Sequence, residues 1–233
     1  MGFTAKDSGG SGGEWEPVPR GVYQAVCYAV VDLGTQFNQM YGHEQHQCWI
    51  SWELPTEEIE IEGEMKPRVI SRFYTVSLGE KAHLRNHLES WRGQSFTDEE
   101  LAGFDISRLI GVNCQLNIIH KTKKDGKIRA EVSSIMPLSK GMKKVDSEAE
   151  YVYFSIEEHG LDIPDTVPEG IKRIFMKSRE WNESNQQMDS TDWRTDNAPP
   201  PLQDSDPWAD NQPPQEPPGG LMRQPEDESD IPF

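Results

Sequence analysis

Residues 112–135 read VNCQLNIIHKTKKDGKIRAEVSSI, and this stretch decides the fold class. Apolar and polar side chains alternate over residues 112–118, which is the pattern of a half-buried strand. The alternation returns from Lys127 to Ile135. Between the two runs stands Asp125-Gly126, a strong signal for a β-hairpin. The sequence therefore predicts two antiparallel strands joined by a tight turn.

Three more β-rich stretches lie upstream, at Gly21–Leu33, Gln47–Leu54 and Arg68–Leu78. Val, Ile, Tyr, Phe and Thr dominate them, as is typical of strands. The acidic stretch Thr56–Lys66 separates the last two, and we expect it to be the connection of a hairpin.

A helix is predicted between the third and fourth strands. Ser77 and Glu80 have the spacing of a capping box at its start, and Gly93 suits its end. Its apolar face consists of Leu84, Leu88 and Trp91. A second helical start follows at Thr97 and Glu100, where Phe96 and Leu101 have the spacing of a hydrophobic staple.

Three strands, a helix and a two-stranded hairpin are the order of an OB-fold, a five-stranded Greek-key barrel with a helix after strand three. A small mixed α+β domain has the same order, so that alternative stays open. Residues 150–178 add a short strand and a helix started by Pro168, with Ile171, Ile174 and Phe175 on its apolar face. We expect this segment to pack on the barrel.

Charge and composition divide the chain. It carries 40 Asp and Glu against 23 Lys and Arg, a net charge of −17. From Glu180 onward there are 13 acidic and two basic residues, so this part carries −11 and the rest −6. Such a protein is repelled by nucleic acid unless its positive charge is gathered locally.

Residues 1–14 are Gly/Ser-rich and predicted to be flexible. Residues 15–178 form the folded domain with its C-terminal extension, and residues 179–226 form a disordered linker rich in Pro, Gln and Asp. Residues 227–233 form an acidic tip. Cys27, Cys48 and Cys114 lie in apolar runs and are predicted to be buried thiols. With no apolar run of membrane-spanning length and no signal peptide, a cytoplasmic protein is expected.

The chain ends in Asp230-Ile231-Pro232-Phe233 after an acidic run. This ending resembles the C-terminal tip of bacterial single-stranded DNA-binding proteins, in which the tip docks on replication and repair enzymes. Phe233 offers a ring and the α-carboxylate on one residue, which a pocket with a basic rim can capture. The resemblance implies a partner-binding tip made of Asp227, Glu228, Asp230, Ile231, Pro232 and Phe233. A generic solvated acidic tail is the alternative, because Asp162-Ile163-Pro164 also occurs inside the chain.

Residues 15–144 also resemble phage-encoded OB-fold single-stranded DNA-binding proteins. The similarity rests on Pro19–Tyr23, Arg72–Thr75, Leu88–Gly93 and Gly103–Asp105. It implies that the domain coats single-stranded DNA during replication, recombination or repair, with little sequence preference, in the host cytoplasm if the protein is phage-encoded.

Single strands are held by a positive groove and by aromatic side chains that stack on bases. The candidate cations are Arg68, Arg72, Lys121, Lys123, Lys124, Lys127 and Arg129, and Lys140, Lys143 and Lys144 extend the run. For the hairpin lysines, an ordinary solvated turn is the alternative. Of the tryptophans in the second strand, either Trp49 or Trp52 faces the groove, and Trp49 is favoured. Tyr74 is the other candidate for stacking, with Tyr41 a weaker one, whereas core packing is expected for Phe73, Trp52 and Trp91.

No catalytic residues, metal site or cofactor are predicted. The spacing of His43, His46 and Cys48 suggests a metal site, but a structural zinc site needs four ligands and no second pair follows, so a polar loop running into a buried cysteine is favoured. The dense run Glu57–Glu64 favours a solvated loop over a nuclease site. The expected function is therefore non-enzymatic single-strand binding, with a tail that recruits partner enzymes and competes with DNA for the groove. An adaptor that docks through the tip without binding DNA is the second hypothesis. The oligomeric state stays open, a homo-oligomer included.

Overall fold

The computed structural model describes residues 16–39, 42–61, 63–123 and 125–185. These residues form a mainly β fold with short helices. The strands are β1 (Gly21–Asn38), β2 (His43–Ile61), β3 (Glu64–Thr75), β4 (Asn113–Thr122), β5 (Ile128–Pro137) and β6 (Val152–Phe154). The helices are α1 (His83–Arg92), α2 (Asp98–Ala102), α3 (Ile156–His159) and α4 (Glu169–Phe175), with a 3-10 turn at Ile106–Leu109. Residues 179–185 are also helical.

The sheet has the order β3-β2-β1-β4-β5, and all of these neighbours are antiparallel. The short β6 pairs parallel with β1, opposite Ala29 to Val31. The two outer strands, β3 and β5, are bridged by the Arg72 guanidinium, which donates to the Val132 carbonyl oxygen and to Glu131. The coarse prediction of a mainly β domain is confirmed.

Strands β1 and β2 are buried on both faces over much of their length, so the sheet separates two cores. The main core lies under α1, whose Leu84, Leu88 and Trp91 pack on one face as predicted. The second core lies under residues 145–185, which we call the C-terminal extension. Its Phe154 and Phe175 pack against the opposite face of β1 and β2. The segment expected to pack on a barrel thus packs on the sheet, and closure of that sheet into a barrel stays a prediction.

The hairpin and capping signals locate most turns correctly. Lys123 N–H donates to the Lys127 carbonyl at 2.9 Å, and Gly126 has φ = 80°, so the β4–β5 turn falls at the predicted place. Thr97 and Glu100 form the predicted capping box of α2. Gly93 ends α1 in the left-handed conformation.

Three boundary predictions were wrong. Residues 179–185 belong to the fold and not to a disordered linker, because they are helical, Trp181 packs against Phe175 and Glu180 accepts hydrogen bonds from Thr35. Thr56–Lys66 is not merely a connection, because β2 and β3 continue through it and pair from Glu58–Pro67 to Ile61–Glu64. Nor does α1 start at Ser77. It begins at His83 after Ala82, which makes no side-chain cap. The Ser77 hydroxyl instead accepts from the Gly79 N–H, so a local turn replaces the predicted capping box.

Candidate nucleic-acid interface

The β4–β5 hairpin presents the densest group of exposed cations. Lys123, Lys127 and Arg129 are exposed and make no ion pair within the described ranges. Lys121 is also exposed, but its ammonium pairs with Glu131 at 2.9 Å. Lys124 lies outside the described residues. Three cations of this hairpin are therefore available to an anion.

A cleft of about 430 Å³ separates this hairpin from β3. We call it the hairpin cleft. Lys123, Lys127 and Arg129 line one wall, together with Ile128, which is 55% exposed. The opposite wall consists of Val69, Ile70 and Ser71 of β3 and of Pro17 and Val18. The cleft thus combines cations with apolar surface, as a site for a single strand requires.

A second cleft of about 670 Å³, the loop cleft, lies along the rest of β3. Phe73 on its wall is 38% exposed. Its far side is the loop before α1, where Glu80, Lys81 and His83 line it. α1 has no acidic residue in its first turn, so the positive end of its dipole and Lys81 offset the charge of Glu80 at this wall.

The two clefts follow one another along β3, over residues 69–71 and residues 72–75, and we call them together the β3 groove. Seven strand residues span about 20 Å. That length is enough to accommodate several nucleotides.

Arg68 and Arg72 are not free for phosphate, which corrects their assignment as groove cations. The Arg68 side chain is 10% exposed, and its guanidinium donates to the carboxylate of Glu16 at 2.7 Å and to two carbonyl oxygens. Arg72 is held by Glu131 and by the Val132 carbonyl. Both arginines serve the structure, because β3 approaches the N-terminal segment and β5 closely enough to engage their side chains.

The stacking assignments of Trp49 and Tyr74 are also corrected. Trp49 is buried in the second core, because the C-terminal extension covers that face of β2. Tyr74 is buried in the main core, where its hydroxyl is hydrogen-bonded to His87 Nδ1 at 2.8 Å. Trp52 and Trp91 lie in the main core as expected, with ring centroids 5.9 Å apart. Tyr41 lies outside the described residues.

Phe73 is the aromatic side chain that sequence reasoning misplaced. It was expected in the core but lies exposed on the wall of the loop cleft. The alternation of side chains along a strand indicates this position, because Ile70 and Tyr74 share one face of β3 while Val69 and Phe73 share the other. Arg72 lies on the same face as Tyr74, where its guanidinium reaches across to β5.

A buried carboxylate that the sequence did not single out fixes the start of the C-terminal extension. Glu53 on β2 is 2% exposed. It accepts hydrogen bonds from the Ser147 hydroxyl at 3.0 Å, the Glu148 N–H at 2.8 Å and the Ala149 N–H at 2.9 Å. These bonds hold residues 147–149 against the sheet, on the face that Trp49 shares.

The His43, His46 and Cys48 spacing does not form a cluster. His46 Nε2 donates to Asp32 at 2.7 Å, and the Cys48 side chain lies in the main core. Within the described ranges no group of three or more His, Cys, Asp or Glu side chains is placed to hold a metal. Cys27, Cys48 and Cys114 are all buried free thiols. No helix in the described part of the chain is both long and apolar enough to cross a membrane.

The tip residues Asp227, Glu228, Asp230, Ile231, Pro232 and Phe233 lie outside the described residues. No protein-family model matches the chain, and no curated protein is significantly similar to it. The candidate interface therefore stands on geometry and charge.

Proposed function

We propose that this protein binds single-stranded DNA in the β3 groove, with little sequence preference and without enzymatic activity. The exposed cations Lys123, Lys127 and Arg129 would contact phosphates, and Phe73 would stack on a base. The observation that carries the proposal is the hairpin cleft, where three cations that form no ion pair with any described residue face apolar surface on β3.

The order of the elements supports an OB-fold as the framework. β1 pairs with both β2 and β4, α1 falls between β3 and β4 in the chain, and Arg72 bridges β3 to β5. OB-folds bind their ligand on the strand 2–3 face and on the loop between strands 4 and 5. Because the C-terminal extension covers the outer face of β2, we assign the ligand to β3 and that loop.

The protein has an acidic net charge, which repels nucleic acid, but its positive charge is concentrated locally. Residues 120–144 contain eight Lys and Arg but only two Asp and Glu, whereas the whole chain carries −17. A short stretch with excess positive charge attracts phosphates within about a Debye length, roughly 10 Å at 0.1 M salt. The acidic remainder would disfavour binding elsewhere on the molecule.

The recruitment of replication or repair enzymes by residues 227–233 is part of the proposal. It is supported by the sequence Asp230-Ile231-Pro232-Phe233 alone. This is also the observation that favours the second candidate function, an adaptor that docks through the tip without binding DNA.

Fluorescence anisotropy with a labelled dT oligonucleotide tests the proposal. We expect binding that weakens with salt, and that is lost when Lys123, Lys127 and Arg129 are all changed to Glu. The matched control is Lys177→Glu, an exposed lysine on the C-terminal extension. Absence of binding by the native protein at low salt would overturn the DNA proposal and favour the adaptor.

A further inference from the structure

The paired ends of β2 and β3 form a two-stranded arm, residues 55–67. It contains five glutamates and one lysine. Ile61 and Met65 on the arm are 37% and 58% exposed. An isolated two-stranded hairpin is marginal in water, and exposed apolar side chains on it favour a partner.

The charge on the arm excludes nucleic acid as that partner, because phosphates repel a run of glutamates. Glu57, Glu58 and Glu60 make no ion pair inside the described ranges, so their charge is available. The complementary surface must be basic and carry some apolar area.

Such a surface is present on the same chain. Residues 139–144, which we call the lysine loop, contain Lys140, Lys143 and Lys144, all exposed and without an ion pair in the described ranges. Met142 between them is 38% exposed. The loop is fixed on the sheet, because Gln24 Nε2 donates to the Lys143 carbonyl at 2.8 Å and the Ser139 hydroxyl donates to Gln115.

We propose that the acidic arm of one molecule docks on the lysine loop of a second copy of this chain. Glutamates would face lysines, and Met65, which shares one face of the arm with its register partner Glu60, would pack near Met142. One chain carries both halves of the contact, and the described residues show no ion pair joining its own arm to its own loop.

A contact between one arm and one loop buries less area than a standard protein interface and is weak in solution. Bound side by side on one strand of DNA, two copies are held at high effective concentration, which strengthens a weak contact. The arm–loop contact would then make binding cooperative along the strand. This cooperativity rests on the proposed function, whereas the contact itself does not require DNA.

Cross-linking of two cysteine variants tests the contact. One preparation carries Met65→Cys and the other Met142→Cys, and the native cysteines do not interfere because all three are buried. A short bismaleimide is expected to give about tenfold more covalent dimer in the mixture than with Val22→Cys in place of Met65→Cys, because only neighbours held in contact react efficiently. Equal yields in both mixtures would overturn the interface.

Charge reversal separates a lost contact from a misfolded variant. Changing Glu57, Glu58 and Glu60 to Lys in the arm preparation should abolish the cross-link, and changing Lys140, Lys143 and Lys144 to Glu in the loop preparation should do the same. When both reversed preparations are mixed, the charges are again complementary and the cross-link should return. Failure to return would also overturn the interface, as would a yield that does not fall in high salt.

The same mixtures are run with and without poly-dT, so the two proposals can fail separately. A cross-link with no oligonucleotide binding would remove the DNA function and leave the interface. Oligonucleotide binding with no cross-link in either condition would remove the interface and leave the DNA function.

Discussion

Trp49 and Phe73 are register partners on β2 and β3, with side chains on the same face of the sheet, yet Trp49 is 4% exposed and Phe73 is 38% exposed. The difference lies in the C-terminal extension, which packs Phe154 and Phe175 over Trp49. The extension leaves Phe73 on the wall of the loop cleft. Any ligand on this side of the sheet is therefore directed to β3.

Phe73→Ala is expected to weaken dT oligonucleotide binding by about 1–3 kcal/mol, the usual contribution of one base stack. Phe73→Tyr should keep most of the affinity because the ring remains. Anisotropy titrations at fixed salt measure both. The control is Phe37→Ala, another exposed phenylalanine, which lines neither cleft. Equal losses for Phe37→Ala and Phe73→Ala would rule out stacking on Phe73.

Lys127→Ala and Arg129→Ala should each lower the slope of log K against log salt by about 0.7, because each removes one phosphate contact with a single strand. Arg68→Ala should leave the slope unchanged but lower the free energy of unfolding, since Arg68 is committed to Glu16 and to carbonyl oxygens. Titrations at several salt concentrations and urea denaturation separate the two effects. A reduced slope for Arg68→Ala would show that Arg68 does contact DNA phosphates.

The sequence predicts β4 and β5 well because one face of each is in the core and the other is solvated. Residues 112–118 therefore alternate, and Asp125-Gly126 marks the turn. On β2 the seven residues Cys48–Leu54 are all buried, so alternation is lost and cannot tell which tryptophan faces outward. The cause is the C-terminal extension, which is distant in sequence.

Part of the candidate site follows from the sequence. The hairpin cations follow from local sequence, because a tight turn between strands exposes its side chains. The hydrogen bonds and ion pairs that engage Arg68 and Arg72 are made with Glu16 and with β5. These partners are distant in sequence, so no local pattern predicts them. The same holds for Glu53, whose partners lie at residues 147–149.

Glu53→Ala is expected to lower the free energy of unfolding by about 3 kcal/mol, because three donors from residues 147–149 lose a buried charged acceptor. Glu53→Gln should cost less, since its amide oxygen still accepts. Urea denaturation measures the change. Glu60→Ala on the exposed arm serves as the control, with an expected effect within about 0.5 kcal/mol. Similar losses at positions 53 and 60 would contradict an anchoring role for Glu53.

Removal of residues 186–233 is expected to tighten binding to dT oligonucleotides at low salt and to have little effect at high salt. The removed segment carries 11 acidic and two basic residues, which would compete with DNA for the hairpin cations. Anisotropy titrations of both forms across a salt series provide the measurement. Equal affinity of the two forms at every salt concentration would show that the removed segment does not compete with DNA.

His87 makes the stability of the fold depend on pH. Burial, reinforced by the nearby Arg72 charge, lowers the pKa of His87 from 6.5 to about 4. Its neutral ring is hydrogen-bonded to the Tyr74 hydroxyl in the main core. The unfolded chain thus takes up a proton at higher pH than the folded chain. The contribution of His87 is fully present above pH 6.5 and is lost as the pH falls toward about 4.

His87→Gln is therefore expected to flatten the loss of stability between pH 6.5 and about 4, by up to about 3 kcal/mol. The contribution of His46 to stability changes with pH in the opposite direction, because its hydrogen bond to Asp32 raises its pKa. Its contribution is present below the ordinary histidine pKa and is lost as the pH rises through the folded value. His46→Gln should consequently alter only the upper part of the profile, and by about 1 kcal/mol or less, since the ring is partly exposed. Urea midpoints at pH 4, 6.5 and 9 for the two variants separate these effects, and an unchanged acid limb in His87→Gln would show that His87 does not set it.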